Sequence, residues 1–585
     1  MAKAVEAGLG TLAALLLAAL LAIVLFSVVM RYVFHTGFIG VEELCIWLHV
    51  ALIAAAAPLA FDGPLAMRMD LLSRRLPERW RFAAADGFSI VAGLVLLFGS
   101  GEIMALLGGA SPALGLPEWI RFGFLGASGL MLLVLLALQR LAQGRGLCLG
   151  VSLVAGVAIY LAIPLLSIDT GLPASLFLAL VAALGLLSAA PLPHAFLAAA
   201  YVAVAFGGGL PEPAIVSTAV SGMSKFLLLA IPFFLLAGGL LTVSGAAGRL
   251  VRFAEALVGH RRAGLAQTTL LTSVFFSGAS GSSVANAAFG ASTFFPELVR
   301  KGYAPQRAGA IVAATSVLDN VIPPSIAFLL LAAATHLSVG SLLVGGFFAG
   351  GLMALCLAFA IHFSAGKPDG APRASAAERR QALASALPAL GLGIIVVAGI
   401  RFGVVTTTEA AAVAAAYTLL LSLAASGRTV SVFASFRQAA VEAAAIGLLI
   451  GTAAPFAFLL ALDDIAGLVS RCVSMLGGGA FAVLLLSNLV LLAAGLVLDI
   501  GAAILLLGPI LLPAAVAAGI DPVQFGVIVV VNLMIHGLTP PIGILVYVVS
   551  GITRVSPTAL FRAVLPYLAA LLVALVFLCA FALLS

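Results

Sequence analysis

The chain is a succession of long apolar runs separated by short polar loops. A helix needs about 20 mainly apolar residues to cross the hydrocarbon core of a bilayer, and these runs have that length. Four of them form a first block, at about residues 8–30, 44–61, 84–107 and 120–139. A fifth run at about 147–167, broken by Pro164, leads into a second block that extends from about 172 to 585. The pattern predicts an all-α, polytopic membrane protein.

Composition and charge support the same class. Of the 585 residues, 63% are hydrophobic and 9% are charged, whereas soluble domains are about half apolar and about a quarter charged. This excludes soluble enzymes and nucleic-acid-binding domains. The basic loop residues are Arg68, Arg74, Arg75, Arg79 and Arg81 after the second run, and Arg140 and Arg145 after the fourth. Because basic loops stay in the cytoplasm, the N-terminus is predicted to be cytoplasmic.

The second block contains an internal repeat. When the chain is shifted by 217 residues, nine of the 29 positions from 296 to 324 carry the same residue, and six of these are Pro or Gly. Matched Pro and Gly indicate the same backbone events in both halves. A polar, basic stretch at Gly366–Gln381 is predicted to be a cytoplasmic linker between the halves. The repeats are placed at about 224–364 and 385–585.

Each repeat contains a double proline inside an apolar segment, VLDNVIPPSIAF at 317–328 and MIHGLTPPIGIL at 534–545. Proline within a helix removes a donor and frees the carbonyl four residues earlier. The carbonyls expected to be free are those of Asp319, Asn320, His536 and Gly537. With the side-chain oxygens of Asn320, Ser325 and Thr539, they would form an oxygen-rich site for a hard cation such as Na⁺. A simple kink is the alternative, but two matched pairs favour a functional break.

A segment rich in serine and glycine, Phe276–Asn286, lies upstream of the first break. Irregular backbone at membrane depth is restricted to cavities, so we predict that this segment is the tip of a re-entrant helical hairpin. Close helix packing through small residues is the alternative. Its counterpart in the second repeat is Leu498–Ala502, where the shift places Asp499 opposite Ser282.

Six ionisable residues lie inside apolar runs of the second block, where a carboxylate costs about 2.5–3.5 kcal/mol. They are Asp319, Glu409, Asp463, Asp464, Asp499 and His536. Asp319 and Asp499 are the strongest candidates for a site because each adjoins a break. The adjacent pair Asp463–Asp464 is expected to cap a helix end, and His536 is expected to be a packing residue.

These segments resemble the tripartite ATP-independent periplasmic (TRAP) transporters, in the version with fused small and large membrane subunits. The similar segments of the second block are LLAIPFFLLAGGLL (228–241), SGSSVANAAFGAS (280–292), IPPSI (322–326), TTTEAAAVAAAY (406–417), GIDPVQFGVIVVVNL (519–533) and LTPPIG (538–543). The first block is similar to the small subunit through VVMRYVF (28–34) and VEEL (41–44). The resemblance implies a four-helix small-subunit domain at 1–146, a fusion helix or linker at 147–171 and the large subunit at 172–585.

The resemblance implies sodium-driven import of a small organic anion (a carboxylate such as a dicarboxylate, keto acid or sugar acid) across a bacterial inner membrane. A periplasmic substrate-binding protein is the expected partner, besides membrane lipid. No ATPase subunit, nucleic acid, cofactor or enzymatic activity is expected, and Na⁺ is the coupling ion. The family fold is an elevator-type transporter with two inverted repeats, re-entrant hairpins and broken helices, and the small-subunit helices enlarge its scaffold.

By similarity, the sodium and substrate sites lie between the hairpin tips and the broken helices. The residues that correspond are Ser280, Gly281, Ser282, Ser283, Pro323, Pro324, Asp499, Thr539, Pro540 and Gly543. Asn286, Asp319, Asn320 and Gly501 complete the predicted set, with sodium nearest Ser282, Asp319, Asp499 and Thr539.

The sequence departs from the family pattern at both sides of the predicted first site. The family usually has Asp where Asn286 stands, and Gly-Pro where Asp319 and Asn320 stand. We hypothesise that a carboxylate has moved from position 286 to position 319 and keeps the local charge. Thr407 also replaces a usual proline, and Gly239 stands where Glu is common.

Three other interpretations are weighed against the sodium-coupled importer. A channel needs a continuous polar stripe, whereas the polar residues here cluster at two points. An intramembrane hydrolase needs a nucleophile with its base, and the sequence shows no such pair. A proton-coupled transporter, or one independent of a binding protein, uses the same architecture with a different coupling ion or partner.

Overall fold

The computed structural model describes residues 1–62, 66, 68, 78–364, 372–426, 429–475, 477–496, 498–540 and 543–584. Every regular element in those ranges is a helix, which confirms the all-α prediction. Twelve of the described helices are long and apolar enough to cross a membrane. A thirteenth span results if the bent pair Ile465–Met475 and Gly479–Gly495 counts as one.

The first block forms the predicted spans. Its helices are α1 (Ala2–Tyr32), α2 (Val41–Ala56), α3 (Glu78–Leu94), α4 (Ser100–Leu106) and α5 (Trp119–Ala142). A short π-helical segment, Val95–Gly99, joins α3 to α4 within one span. Pro58 tightens the end of the second span into a 3-10 turn, Ala57–Ala60. Most of the basic stretch after it, residues 69–77, lies outside the described residues.

The fifth run folds as α6 (Gly146–Ala162) and ends at Pro164 in a 3-10 turn, Ile163–Leu165. Proline removes one helical hydrogen bond, and here the break falls where the sequence predicts it. Shorter helices follow, of which three precede the first repeat and the fourth lies inside it. They are α7 (Ala174–Leu187), α8 (Leu192–Ala203), α9 (Glu212–Met223) and α10 (Ala230–Val243).

The chain divides into two compact units, and the first comprises Met1–Pro232 and Phe433–Leu468. Small residues bring its helices together, because a Cβ on Gly129 of α5 would lie 2.6 Å from the carbonyl oxygen of Gly93 in α3. A buried ion pair joins the same helices. Arg140, 0% exposed, donates to both carboxylate oxygens of Asp86, at 2.7 Å and 2.8 Å.

The second unit comprises Phe233–Val432 and Val469–Ser585. The helices of its first half are α11 (Ala246–Val258), α12 (Gly264–Ser280), α13 (Ser283–Arg300), α14 (Pro305–Ser316), α15 (Ile326–Thr335) and α16 (Val339–Ser364). Then follow α17 (Ala376–Arg401), α18 (Thr407–Ser426), α19 (Thr429–Leu462) and α20 (Ile465–Met475), of which α19 and α20 fall partly in the first unit. The last helices are α21 (Gly479–Gly495), α22 (Ile500–Ala517), α23 (Pro522–His536), α24 (Ile544–Thr553) and α25 (Pro557–Leu584).

The helix bounds follow the internal repeat. A shift of 217 residues carries both ends of α13 onto both ends of α22, and the start of α14 onto the start of α23. The starts of α15 and α16 fall within one residue of the starts of α24 and α25. The duplication read from Pro and Gly therefore extends to the secondary structure.

The predicted linker Gly366–Gln381 is wrong at its C-terminal end. Residues 365–371 lie outside the described residues, but α17 already begins at Ala376. Ser375 and Glu378 form a capping box, in which each side chain accepts a hydrogen bond from the other residue's backbone N–H. This S-x-x-E motif is a helix start signal that the low hydrophobicity of the stretch obscures.

Candidate functional site

The serine- and glycine-rich segment forms the turn of a helical hairpin between α12 and α13. Gly281 adopts a left-handed conformation (φ +63°), which glycine allows without steric cost. Ser282 is extended and caps α13, its Oγ accepting from the N–H of Ala285 at 3.4 Å. The side chain of Ser280 lies outside the described residues. The predicted hairpin turn therefore falls at residues 281–282.

The first double proline interrupts the helix opposite this hairpin. α14 ends at Ser316, a 3-10 turn covers Val317–Asn320, and α15 begins at Ile326 after the buried Pro323 and Pro324. Ser325 caps α15 by accepting from the N–H of Phe328 at 3.4 Å, and its hydroxyl donates to the carbonyl of Asn320. The prediction of a free Asn320 carbonyl is therefore wrong, because the capping serine satisfies it.

The hairpin turn and the helix break lie against each other. A Cβ on Gly281 would be 3.6 Å from the carbonyl oxygen of Pro324 and 3.7 Å from the side chain of Ile326. The 3-10 turn that carries Asp319 packs on both hairpin helices, α12 and α13. The structure thus brings the residues predicted for the first repeat into one cluster, named here the first tip–break cluster: Gly281, Ser282, Ser283, Asn286, Asp319, Asn320, Pro323 and Pro324.

Buried polar atoms line the first tip–break cluster. Asp319 is 0% exposed and Asn286 is 2% exposed. Ser283 and Asn286 stand on one face of α13, three residues apart. The Ser283 Oγ and Asn286 Nδ2 atoms are buried and have no hydrogen-bond partner among the described residues. Unpaired polar atoms are costly inside a protein, so their concentration here marks a candidate site for a polar ligand.

The second repeat has the equivalent hairpin. α21 and α22 pack together, and Asp499 caps α22, its Oδ2 accepting from the N–H of Gly501 at 2.9 Å. Asp499 and Ser282 are therefore caps of corresponding helices. Residue 497 in this turn lies outside the described residues. A carboxyl cap in place of a hydroxyl cap distinguishes the second hairpin from the first.

The second double proline also interrupts a helix. α23 ends at His536 and α24 begins at Ile544, while Pro541 and Ile542 lie outside the described residues. The carbonyls of His536 and Gly537 were expected to be free, and this prediction is wrong too. They accept from the N–H of Thr539 at 2.9 Å and of Leu545 at 3.1 Å. A carbonyl oxygen has two lone pairs, so each keeps one for a further ligand.

The remaining predicted residues of the second repeat occupy this break. Thr539 is partly buried and donates through Oγ1 to the carbonyl of Ile535 at 3.3 Å, and Pro540 is exposed. Gly543 is buried, and its N–H donates to the Thr539 carbonyl at 2.9 Å. A Cβ on Gly543 would lie 2.9 Å from the Leu538 carbonyl carbon, which explains why glycine is required there.

The second hairpin also lies against its break. A Cβ on Gly495, at the end of α21, would lie 2.6 Å from the ring of His536. His536 is 5% exposed, and its Nδ1 has no hydrogen-bond partner among the described residues. One turn earlier, Asn532 donates to Asn488 Oδ1 at 2.7 Å, which joins α23 to α21. This asparagine pair was missed because the two residues stand 44 positions apart.

The two repeats exchange partners through the half-helices that follow the breaks. α24 packs on α13, and α15 packs on α22. Each half-helix thus contacts the second hairpin helix of the other repeat. This reciprocal pairing is expected for repeats related by an approximate two-fold axis.

Three other intramembrane carboxylates have structural roles. Asp463 accepts from the N–H of Ser175 at 2.7 Å, and Asp464 accepts from the N–H of Gly467 at 3.1 Å at the start of α20. Both bonds fit the predicted cap at a helix end. Glu409 accepts from the N–H of Thr406 at 2.7 Å in the first turn of α18. Asp319 and Asp499 stay the carboxylates associated with the breaks.

These features define a multi-pass membrane protein built from paired hairpins and discontinuous helices, an architecture typical of secondary transporters. A family model described as tripartite ATP-independent periplasmic transporter, DctM component, matches residues 176–584. The model of the DctQ component matches residues 20–146. The chain therefore belongs to the TRAP transporter family, with both membrane components fused in one polypeptide.

Relatives agree with this assignment. The chain is 31% identical over 582 residues (95% of this chain, 90% of the relative) to the isethionate TRAP transporter permease protein DctMQ of Oleidesulfovibrio alaskensis. It is 40% identical over 363 residues (60% and 83%) to the C4-dicarboxylate TRAP transporter large permease protein DctM of Pseudomonas aeruginosa. It is 33% identical over 360 residues (61% and 84%) to the sialic acid TRAP transporter large permease protein SiaM of Vibrio cholerae. The chain is thus a multi-pass inner-membrane permease and not an enzyme.

Proposed function

We propose that this permease imports a small organic anion together with Na⁺, by an elevator movement, after a periplasmic substrate-binding protein has delivered the anion. The relatives named above are an isethionate, a C4-dicarboxylate and a sialic acid TRAP transporter permease. The chemistry these names share is a small acid with a permanent negative charge at neutral pH. We therefore propose an organic acid as the substrate class.

The observation that carries the proposal is the contact between each hairpin turn and a helix break. Gly281 adjoins Pro324 in the first repeat, and Gly495 adjoins His536 in the second. Such junctions bring backbone carbonyls, helix ends and polar side chains to one place at membrane depth. An ion and an anion bound there would be shielded from lipid while the surrounding unit moves.

The donor set of the first tip–break cluster suits Na⁺. Hard cations prefer oxygen ligands, and the cluster offers the Asp319 carboxylate, the Ser283 hydroxyl and the Asn286 amide oxygen. The second lone pair of the Asn320 carbonyl is a fourth oxygen donor. The Ser283 Oγ is buried and has no hydrogen-bond partner within the described part of the chain. It supports this assignment, because coordination to a cation would satisfy it.

Electrostatics would couple the movement of Na⁺ to the movement of the organic anion. One Na⁺ that enters down a potential of 100 mV contributes about 2.3 kcal/mol before any concentration gradient. A buried carboxylate without its cation resists crossing the hydrocarbon core, since an isolated charge there is costly. Sodium bound at Asp319 would therefore permit the movement and also attract the organic anion.

Thermal stability of the purified protein in NaCl, KCl and choline chloride at matched ionic strength tests whether Na⁺ binds specifically. A ligand that binds only the folded state stabilises it by RT ln(1 + [L]/Kd), about 2.7 kcal/mol at 100 times Kd. We expect a rise specific to NaCl that Asp319→Asn and Asp499→Asn reduce. Equal stability in all three salts would contradict sodium coupling and leave proton coupling as the alternative.

Reconstitution tests the transport cycle. In proteoliposomes with an inward sodium gradient, uptake of a labelled organic acid should require the added substrate-binding protein and saturate with concentration. Uptake without the binding protein would contradict the tripartite scheme. Non-saturable flux would indicate a channel. A proton gradient that drives uptake in the absence of sodium would identify a proton-coupled transporter.

A further inference from the structure

A groove of about 660 Å³ lies on the second unit, apart from both hairpin turns. Its walls are faces of α12 and α16, which pack against each other, and the α11–α12 connection lines one end. Gln267 of α12 donates to the Ala358 carbonyl of α16 at 2.8 Å and joins the two walls. A hydrogen bond between the two wall helices therefore helps to fix the shape of the groove.

The groove walls are apolar along most of their length. The residues that form them include Leu270, Leu271, Val274, Ala354, Leu355 and Ala358. On each helix these positions recur at intervals of three and four residues, so they present one continuous face. From Gly351 to His362 the α16 wall is about 16 Å long at 1.5 Å per residue. A wall of this length and polarity matches part of an acyl chain.

Basic side chains lie at one end of the groove. Arg261 and Arg262 of the α11–α12 connection and His362 of α16 line it there, and all three side chains are exposed. Among the described residues that line the groove, none carries a carboxylate. Two adjacent guanidinium groups in a groove whose described lining has no acidic side chain form a site for a phosphate, because guanidinium geometry matches phosphate oxygens.

The surroundings indicate which face of the membrane this end meets. α16 ends at Ser364 and leads into the basic stretch 366–381, which the positive-inside rule assigns to the cytoplasm. Anionic lipid headgroups lie at that surface and attract basic residues. On the α16 wall of the groove, Leu355 is 70% exposed and Phe359 is 67% exposed, as expected for side chains that face acyl chains.

From these observations we infer that the groove between α12 and α16 binds one phospholipid with an anionic headgroup from the cytoplasmic leaflet. The phosphate lies at Arg261 and Arg262, and one acyl chain follows the α12–α16 wall. The site is independent of the ion and substrate sites. It would hold a lipid on the first hairpin helix.

Native mass spectrometry of the delipidated full chain tests this inference. The protein is titrated with phosphatidylglycerol, with phosphatidylcholine of the same acyl chains and with inorganic phosphate. We expect one phosphatidylglycerol to bind more tightly than phosphatidylcholine. The double variant Arg261→Gln/Arg262→Gln should weaken that binding at least about tenfold, since each arginine near an anionic lipid contributes to the attraction.

Two further variants distinguish binding in the groove from a general attraction of anionic lipid to positive charge. Arg379→Gln/Arg380→Gln removes an adjacent arginine pair on α17 that does not line the groove, and should bind phosphatidylglycerol like the unchanged chain. Ala354→Trp fills the wall without changing charge and should weaken binding. Equal binding of both lipids, equal loss in both arginine variants, or inorganic phosphate that displaces phosphatidylglycerol would each overturn the inference.

Discussion

Asp319 is the residue on which the proposed coupling depends most. It is fully buried in the 3-10 turn that packs on α13, the helix that carries Asn286. A buried carboxylate is stable only with compensating charge or hydrogen bonds, so its neutralisation is expected to remove the preference for a cation. The adjacency of the turn and α13 also explains how positions 286 and 319 could serve the same cluster.

Moving the carboxyl group from position 319 to position 286 tests whether the two positions serve the same cluster. Asp319→Asn should reduce the stabilisation by NaCl over KCl and abolish the sodium-driven uptake. Adding Asn286→Asp restores one carboxylate to the cluster and should recover part of both responses. Thermal unfolding in the two salts measures the first and proteoliposome uptake the second. Normal uptake by Asp319→Asn alone would exclude the residue from coupling.

At position 281 the backbone conformation restricts substitution more than the space available for a side chain does. Its φ of +63° disfavours other residues by roughly 1–2 kcal/mol, whereas a Cβ would meet Pro324 O at an ordinary 3.6 Å. Gly281→Ala should therefore fold with a slightly lower unfolding temperature and show slower uptake, because the hairpin turn shifts against the break.

Gly302→Ala is the matched control for this prediction. Gly302 has a φ of +90° and nothing within 4 Å of its Cβ position, so alanine there meets only the backbone penalty. Its unfolding temperature should fall by a similar amount, but its uptake should be unchanged. Equal uptake by the two variants would show that the geometry of the first hairpin turn does not limit transport.

At the scale of helices, the Arg140–Asp86 pair should hold the first unit together. Removal of one partner of a buried pair typically costs about 3–5 kcal/mol, because the other charge stays buried and unpaired. Arg140→Met should therefore lower the unfolding temperature strongly. Arg121→Met breaks a pair whose members, Arg121 and Glu118, are 23% and 24% exposed, and its effect should be about 1 kcal/mol or less.

Thermal unfolding in detergent compares the two variants, and the double variant Arg140→Met/Asp86→Leu completes the series. Replacement of both charges by apolar groups leaves no buried charge of the pair, so it should recover much of the lost stability. A double variant no more stable than Arg140→Met would mean that Asp62, the other carboxylate near Arg140 at 3.3 Å, carries the interaction instead.

The sequence was informative where structure depends on local chemistry. Pro164 and the two double prolines mark helix interruptions because proline removes a backbone donor. Single prolines such as Pro296 and Pro455 nevertheless stand inside continuous helices. Gly281 marks the hairpin turn because it tolerates a left-handed conformation. The expectation of free carbonyls was wrong for Asn320, His536 and Gly537, since the bonds that satisfy them come from neighbouring turn residues whose conformation the proline does not determine.

Tertiary pairings could not be predicted in the same way. The exchange of α15 and α24 between the repeats depends on how whole helices pack, and apolar letters do not distinguish one partner from another in this composition. The Asn488–Asn532 bond likewise arises between helices that the repeat alone does not bring together. The predicted site residues therefore fall into two clusters, one at each break. The residues alone indicated separate motifs, and the family resemblance implied that hairpin tips and breaks meet.

For the whole molecule, the orientation in the membrane determines which face receives the substrate-binding protein and which leaflet supplies the lipid. The positive-inside rule predicts that the N-terminus and the loops after α2 and α5 are cytoplasmic, and that residues 107–118 are periplasmic. Arg261 and Arg262 should share the cytoplasmic side. One orientation therefore has to satisfy the transport proposal and the lipid inference together.

Reporter fusions and cysteine labelling measure this orientation. A fluorescent protein fused after residue 145 should fluoresce, and alkaline phosphatase fused after residue 112 should be active, because each reporter works on one side only. In a chain whose five native cysteines are replaced, Arg261→Cys should resist a membrane-impermeant maleimide in intact cells and react after lysis. Labelling of Arg261→Cys in intact cells would place the groove's basic end in the periplasm. The cytoplasmic leaflet would then be excluded as the lipid source, while the fusions would still decide which face receives the substrate-binding protein.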